Sequence, residues 1–173
     1  MKTWLRLILV VFTVGGGFTL ITGATDVLFR TNPMSLTAVM LLGFMMASGA
    51  FIMASGLVLV RDPRCTRLAQ IALALQIPWV SSPLFAFRLF CGVGLYAVVG
   101  LEPPEDVVRV GDHFGWRFQL GAYSSVGFWE NHPWSLGINL VALFLLVALR
   151  ASMRPVRIVE QSVADDARTF QTR

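Results

Sequence analysis

The segment from Leu36 to Val60 limits the fold of this chain more than any other, because it is strongly apolar and contains no charged residue. A helix needs roughly 20 apolar residues to cross the hydrocarbon core of a bilayer, and this segment is longer. Asn32-Pro33 precedes it and Arg61-Asp62-Pro63 follows it, and such residues are typical of helix boundaries. The segment therefore predicts a transmembrane helix.

The composition of the whole chain agrees with a membrane protein. Hydrophobic residues make up 55% and charged residues 14% of the chain, and the mean hydropathy is +0.68. A water-soluble domain carries about 25% charged residues, and a disordered chain has few hydrophobic ones, so both classes are excluded. The net charge of +4 is interpreted as a signal for orientation in the bilayer, not for nucleic-acid binding.

Three further apolar segments are predicted to cross the bilayer: Leu7–Ala24, Leu68–Val80 and Trp134–Leu149. The first also has features of a cleaved secretory signal, because Lys2 and Arg6 precede it and Thr22-Gly23-Ala24 resembles a cleavage site. Its length and its internal threonines and glycines favour a retained span, and both interpretations stay open here.

The region from 68 to 100 is too long for one span and too short for two, and Pro78 and Pro83 interrupt it. A single crossing, two short helices or a re-entrant loop would each fit. If only Leu68–Val80 crosses, then of the 14 Lys and Arg residues only four lie outside the cytoplasm: Arg30, Arg88, Arg109 and Arg117. This distribution follows the positive-inside rule, whereas a fifth span would move Arg150 and the basic residues after it outside.

Residues after Val80 alternate between apolar and polar or small side chains, which is the pattern of a half-buried strand. The pattern predicts antiparallel strands over 84–99 and 115–128. A lone hairpin is marginally stable, so it would need helix ends, a further strand or a partner to pack against.

The predicted fold is therefore a mainly α, polytopic membrane protein with four transmembrane helices and an extracytoplasmic antiparallel β-hairpin between helices 3 and 4. Its units are 1–80, 81–130 and 131–173. Both termini are expected in the cytoplasm, with the protein in a bacterial inner membrane.

Small residues spaced four, three and four apart form a stripe on the second span. Such stripes let helices approach closely in lipid, and an amide in a span can hydrogen-bond to a neighbouring helix. The stripe is interpreted either as packing between the first two spans or as a docking surface for a partner membrane protein or a second copy. The predicted helix-packing residues are Gly15, Thr19, Gly43, Ala47, Ala50, Ala54 and Asn139.

Five polar residues are candidates for a functional role: Arg88, Asp112, His113, Glu130 and His132. In the four-span topology Arg88 lies just outside the membrane, near headgroups or a carboxylate such as Glu130. A charge inside the membrane would instead be the strongest functional candidate. The two histidine–carboxylate groups flank opposite ends of the second strand, so no metal site is predicted.

No catalytic motif occurs in the sequence, and no catalytic residue or cofactor is assigned. We therefore expect a non-enzymatic interaction or assembly subunit that acts through helix packing and the β-module. The alternatives are a small oligomeric transporter or channel subunit and an enzyme that acts on lipid or envelope substrates.

Overall fold

The structure is a computed structural model that describes residues 3–30, 35–62, 64–100, 107–128 and 133–153. Its described residues form four helices: α1 (Thr3–Arg30), α2 (Leu36–Arg61), α3 (Arg67–Leu75) and α4 (Leu140–Ser152). Helix α1 contains a π-helical segment at Val11–Gly15. They also form five strands: β1 (Pro78–Ser81), β2 (Phe85–Gly100), β3 (Val108–Arg109), β4 (Phe114–Phe128) and β5 (Ser135–Asn139).

Helices α1 and α2 form an antiparallel hairpin with very close backbones. A Cβ added at Gly17 would lie 2.5 Å from the carbonyl oxygen of Gly49, so the contact requires glycine. At the end of the hairpin, Arg6 donates hydrogen bonds to the carbonyl oxygens of Leu59, at 3.2 Å, and Val60. Glycine at such contacts is typical of helices that associate in lipid.

The prediction of four transmembrane helices is wrong. Among the described residues, only α1 and α2 are long and apolar enough to cross a membrane. The predicted third span is the nine-residue α3 followed by β1, because the helix cannot continue into Pro78. The predicted fourth span begins as β5 and becomes helical only after Asn139, which leaves 13 helical residues. The described residues therefore form two long helices, two short helices and a sheet, and not the predicted mainly α, polytopic fold.

The predicted strands are confirmed, and they belong to a larger antiparallel sheet with the order β1-β5-β2-β4-β3. Strands β2 and β4 pair from Phe85↔Phe128 to Val99↔Phe114. Strands β1 and β5 come from the apolar segments on either side of the predicted hairpin. They supply the further strands that an isolated hairpin lacks.

The sheet curves back on itself. The first part of β2 pairs with β1, the last part pairs with β5, and β1 and β5 pair with each other. Strand β2 must therefore bend between these two regions. Gly92 and Gly121 are cross-strand partners with φ of +89° and +115°, a backbone region that favours glycine, and this places the bend in both β2 and β4.

The sheet packs against the middle of α1, and its strands β1 and β5 continue from α3 and into α4. A Cβ added at Gly16 would lie 2.6 Å from Cβ of Cys91, and Leu20, Ile52 and Leu89 are buried around this contact. At the other end of the molecule all four helices share one apolar cluster, which includes buried leucines at positions 9, 59, 73 and 149. The short helices thus pack against the first half of α1, and the sheet packs against its middle.

Candidate functional site

The concave face of the curved sheet, which we call the sheet interior, collects polar side chains. Arg88, Phe90, Tyr96 and Val98 lie on one face of β2 because they share the same parity along the strand. Register places Gln119 opposite Gly94 and Arg117 opposite Tyr96, so these β4 residues lie on the same face. Trp79 of β1 pairs with Arg88, which brings the indole into the sheet interior.

Arg88 is buried among aromatic rings. Its guanidinium carbon lies 4.2 Å from the ring centroid of Trp79, 5.0 Å from that of Tyr123 and 5.3 Å from that of Tyr96. The side chain is 7% exposed and donates a hydrogen bond to Oε1 of Gln119. A cation over aromatic faces is favoured by the ring quadrupole, and the interaction strengthens away from water. The sheet interior is therefore built to hold a buried guanidinium.

A second guanidinium lies near the same indole ring. The guanidinium carbon of Arg117 is 5.6 Å from the ring centroid of Trp79. The Trp79 ring also packs edge-on against Tyr96, with 5.5 Å between centroids and 88° between ring planes. The Trp79 ring thus lies near two guanidinium groups from different strands, and it also packs against the Tyr96 ring.

Two fully buried polar side chains complete the sheet interior. Tyr96 and Asn139 are cross-strand partners on β2 and β5. The Tyr96 hydroxyl and Nδ2 of Asn139 make no hydrogen bond of ideal geometry within the described residues, but the Tyr96 side chain interacts with those of Arg88 and Asn139. Oδ1 of Asn139 accepts from the backbone N–H groups of Val141 and Ala142, at 3.2 and 3.4 Å, and so caps α4. Asn139 therefore joins the polar interior of the sheet to the start of a helix.

Gln76 makes a similar junction at the end of α3. Its Nε2 donates to the carbonyl oxygen of Ala72 at 3.1 Å, and its Oε1 accepts from the backbone N–H of Cys91 at 3.2 Å. The side chain is fully buried. The amide satisfies a strand donor that faces a helix, which an apolar side chain could not do.

Chemically, the sheet interior offers positive charge, hydrogen-bond donors and aromatic faces. Such groups can bind an anion or a carbonyl oxygen. Across the described ranges, no group of three or more His, Cys, Asp or Glu is placed to hold a metal ion.

Of the three predicted polar candidates that the structure describes, only Arg88 lies in the sheet interior. Asp112 and His113 are exposed between β3 and β4. Glu130 and His132 lie outside the described residues. The structure therefore does not bring the described candidates together in one cleft.

The predicted helix-packing residues face away from the α1–α2 contact, except for Asn139, which is buried. The close contact uses Gly17, Gly49 and Gly56 instead. The exposed members of the predicted set are Gly15, Thr19, Gly43, Ala47, Ala50 and Ala54. Packing by this stripe stays a prediction. Gly15 and Thr19 line a groove together with Val93 and Leu120 of the sheet, and Ala47 lines another with Leu75 and Leu89.

Sequence reasoning missed Trp79, Tyr96, Gln119 and Tyr123 as parts of the site. Gln119 and Arg117 were recognisable as one polar face of a strand, because they alternate with Phe118 and Leu120. Trp79 carried no such signal, since it lies in an apolar run that resembles a helix.

The chain matches no known protein family, and searches of curated proteins and of solved structures found no significant similarity to it.

Proposed function

We propose that the protein is a non-enzymatic assembly subunit of a membrane, anchored by α1 and α2 and self-associating through the outward face of α2. The observation that carries the proposal is the exposure of small residues along that face: Gly43, Ala47, Ala50 and Ala54.

The anchoring is supported by the length and surface of the two helices. Both are long and apolar enough to cross a bilayer. Large apolar side chains on them face outward, including Phe18 at 59% exposure and Met40 at 67%. In water such a surface would drive association, whereas lipid satisfies it. The close contact of Gly17 with Gly49 also makes α1 part of the fold, which favours a retained span over a cleaved signal.

The orientation is supported by charge at the end where all four helices meet. Arg6, Arg61, Arg64 and Arg150 lie at or near this end, whereas Asp26 and Arg30 pair near the other end of α1. Basic residues concentrate on the cytoplasmic side of membrane proteins. We therefore assign this end, with the start of α1 and the end of α4, to the cytoplasmic face of a plasma membrane.

Self-association is supported by the shape of the outward face of α2. Four small residues spaced four, three and four apart leave a shallow groove of about three helical turns on one side of a helix. Lipid needs no such groove, but the backbone of another helix fits it. Two copies in one membrane share their orientation, so the stripe meets itself in register around a two-fold axis.

Disulfide cross-linking in native membranes tests the self-association. In a Cys65→Ser background, Ala50→Cys is expected to give a covalent dimer on mild oxidation. Phe144→Cys on α4, at an exposed position with 66% exposure, is the matched control and should stay monomeric. Equal cross-linking of both variants, or of neither, would rule out the stripe as the contact.

The second candidate is a small oligomeric channel or transporter subunit. It is favoured by one observation, the buried donors Arg88 and Asn139 in the sheet interior, which would select anions. Reconstituted protein should then release anions from loaded vesicles, and Arg88→Met should abolish the release.

A further inference from the structure

The sheet differs from that of a water-soluble protein in its exposed face. Its interior holds the polar groups Arg88, Tyr96, Gln119 and Asn139 beside the buried apolar side chains of Trp79, Phe90 and Val98. Among the described residues, the opposite face beyond the bend at Gly92 presents apolar side chains, and its exposed large ones have exposures from 36% to 71%. We call this the outer sheet face. Its exposed large residues are Val93, Leu95, Val99, Val108, Trp116, Phe118, Leu120, Leu136 and Ile138.

A soluble sheet that has one face in water places its polar side chains on that face. Apolar-out and polar-in alternation is instead the pattern of strands that face lipid, as in transmembrane β-barrels. We propose that the outer sheet face lies in the hydrocarbon of the bilayer and that acyl chains cover it.

The depth of the sheet agrees with this position. Gly16 lies near the midpoint of α1, and Cys91 packs directly on it. If α1 crosses the bilayer, Cys91 lies near the bilayer centre. From Val93 to Val99 the strand advances by roughly 20 Å, and half of the hydrocarbon core is about 15 Å thick. The outer sheet face therefore spans about one leaflet.

The far end of the outer sheet face carries the residues expected at a membrane surface. Trp134 and His113 line a shallow pocket together with Val99 and Leu136. Trp134 is 55% exposed. Tryptophan is enriched at the boundary between hydrocarbon and headgroups, where its ring is apolar and its N–H remains hydrated.

Backbone groups in lipid must be hydrogen-bonded within the protein. The central strands of the outer sheet face meet this requirement. The last part of β2 pairs with β4 on one edge and with β5 on the other. Strand β5 in turn pairs with β1 on its second edge. Pairing among β1, β5 and the last part of β2 thus satisfies the backbone of these central strands, whereas within the described residues the outer edge of β4 pairs with β3 only at Trp116 and Gly115.

The inference rests on the proposed anchoring by α1 and α2, but not on self-association. It is tested with single-cysteine variants of the full chain, made in a Cys65→Ser/Cys91→Ala background and reconstituted in phosphatidylcholine vesicles. A bimane fluorophore is attached at Leu95→Cys, and at Leu136→Cys as a second position in case the first variant fails to fold. Quenching is measured with nitroxide-labelled acyl chains and with aqueous iodide.

Bimane on the outer sheet face is expected to lose fluorescence with the nitroxide acyl chains and to be unaffected by iodide. Asp112→Cys is the water-exposed control, and Phe18→Cys on α1 reports the anchoring. Iodide quenching at Leu95 and Leu136 with lipid quenching at Phe18 overturns the inference but leaves the anchoring intact. Iodide quenching at Phe18 as well removes the anchoring itself. Protection of Leu95 and Leu136 from both quenchers means that protein covers the face, and this also overturns the inference.

Discussion

The backbones of Gly17 and Gly49 touch, so that a Cβ on either residue would lie within 3.0 Å of the carbonyl oxygen of the other. A methyl group at Gly17 must therefore push α1 and α2 apart. We expect Gly17→Ala to lower the free energy of unfolding by about 1–3 kcal/mol, the usual cost of overpacking. Thermal unfolding in mild detergent measures the effect. Gly15→Ala is the control, because no heavy atom lies within 4 Å of its added Cβ. Equal Tm values for the two variants would contradict the contact.

Arg88→Lys tests whether the sheet interior needs a guanidinium or only a charge. Lysine keeps the charge but loses the planar group that lies over Trp79 and donates to Gln119. We expect a loss of about 1–3 kcal/mol in the free energy of unfolding. Arg30→Lys should change little, since the Arg30–Asp26 pair is exposed. A double-mutant cycle with Gln119→Leu should show coupling, and additive effects would exclude the hydrogen bond as a source of stability.

Gly121→Ala isolates the backbone cost of the bend in the sheet. No heavy atom lies within 4 Å of the added Cβ, but φ at Gly121 is +115°. The substitution should therefore lower the free energy of unfolding by about 1–3 kcal/mol through strain alone. Gly23→Ala, which has equal space but lies in α1, should be neutral or stabilising. If both variants unfold at the same temperature, the bend at Gly121 is not required.

The two long strands were predictable because their alternation is visible in the sequence. Trp116-Arg117-Phe118-Gln119-Leu120 alternates apolar and polar side chains, and glycines disfavour a helix over 92–100. Strands β1 and β5 were not predictable from the same rule. They are short, and they lie next to apolar helices in one continuous hydrophobic run. Hydropathy does not distinguish such a strand from a transmembrane helix.

Two local signals for these breaks were nevertheless present. Pro78 prevents α3 from continuing, and Gly137 lies in β5, where a Cβ would be 3.1 Å from the Trp79 ring. Their meaning depends on pairing between β1 and β5, which are far apart in the chain.

The candidate site was only partly predictable for the same reason, because its residues come together through long-range strand pairing. Arg88 attracts attention as a charge in an apolar run, but its partners Trp79 and Gln119 are placed by register across three strands.

Asn139 is both the last residue of β5 and the cap of α4, and its backbone N–H donates to the carbonyl oxygen of Ile77 at 2.9 Å. No loop separates strand from helix, so no flexible joint is available between them. A rotation of α4 about its axis would turn β5 and displace the phenol ring of Tyr96 beside it. Any force that reaches the Arg150 end of α4 is thereby transmitted directly to the sheet interior that holds Arg88.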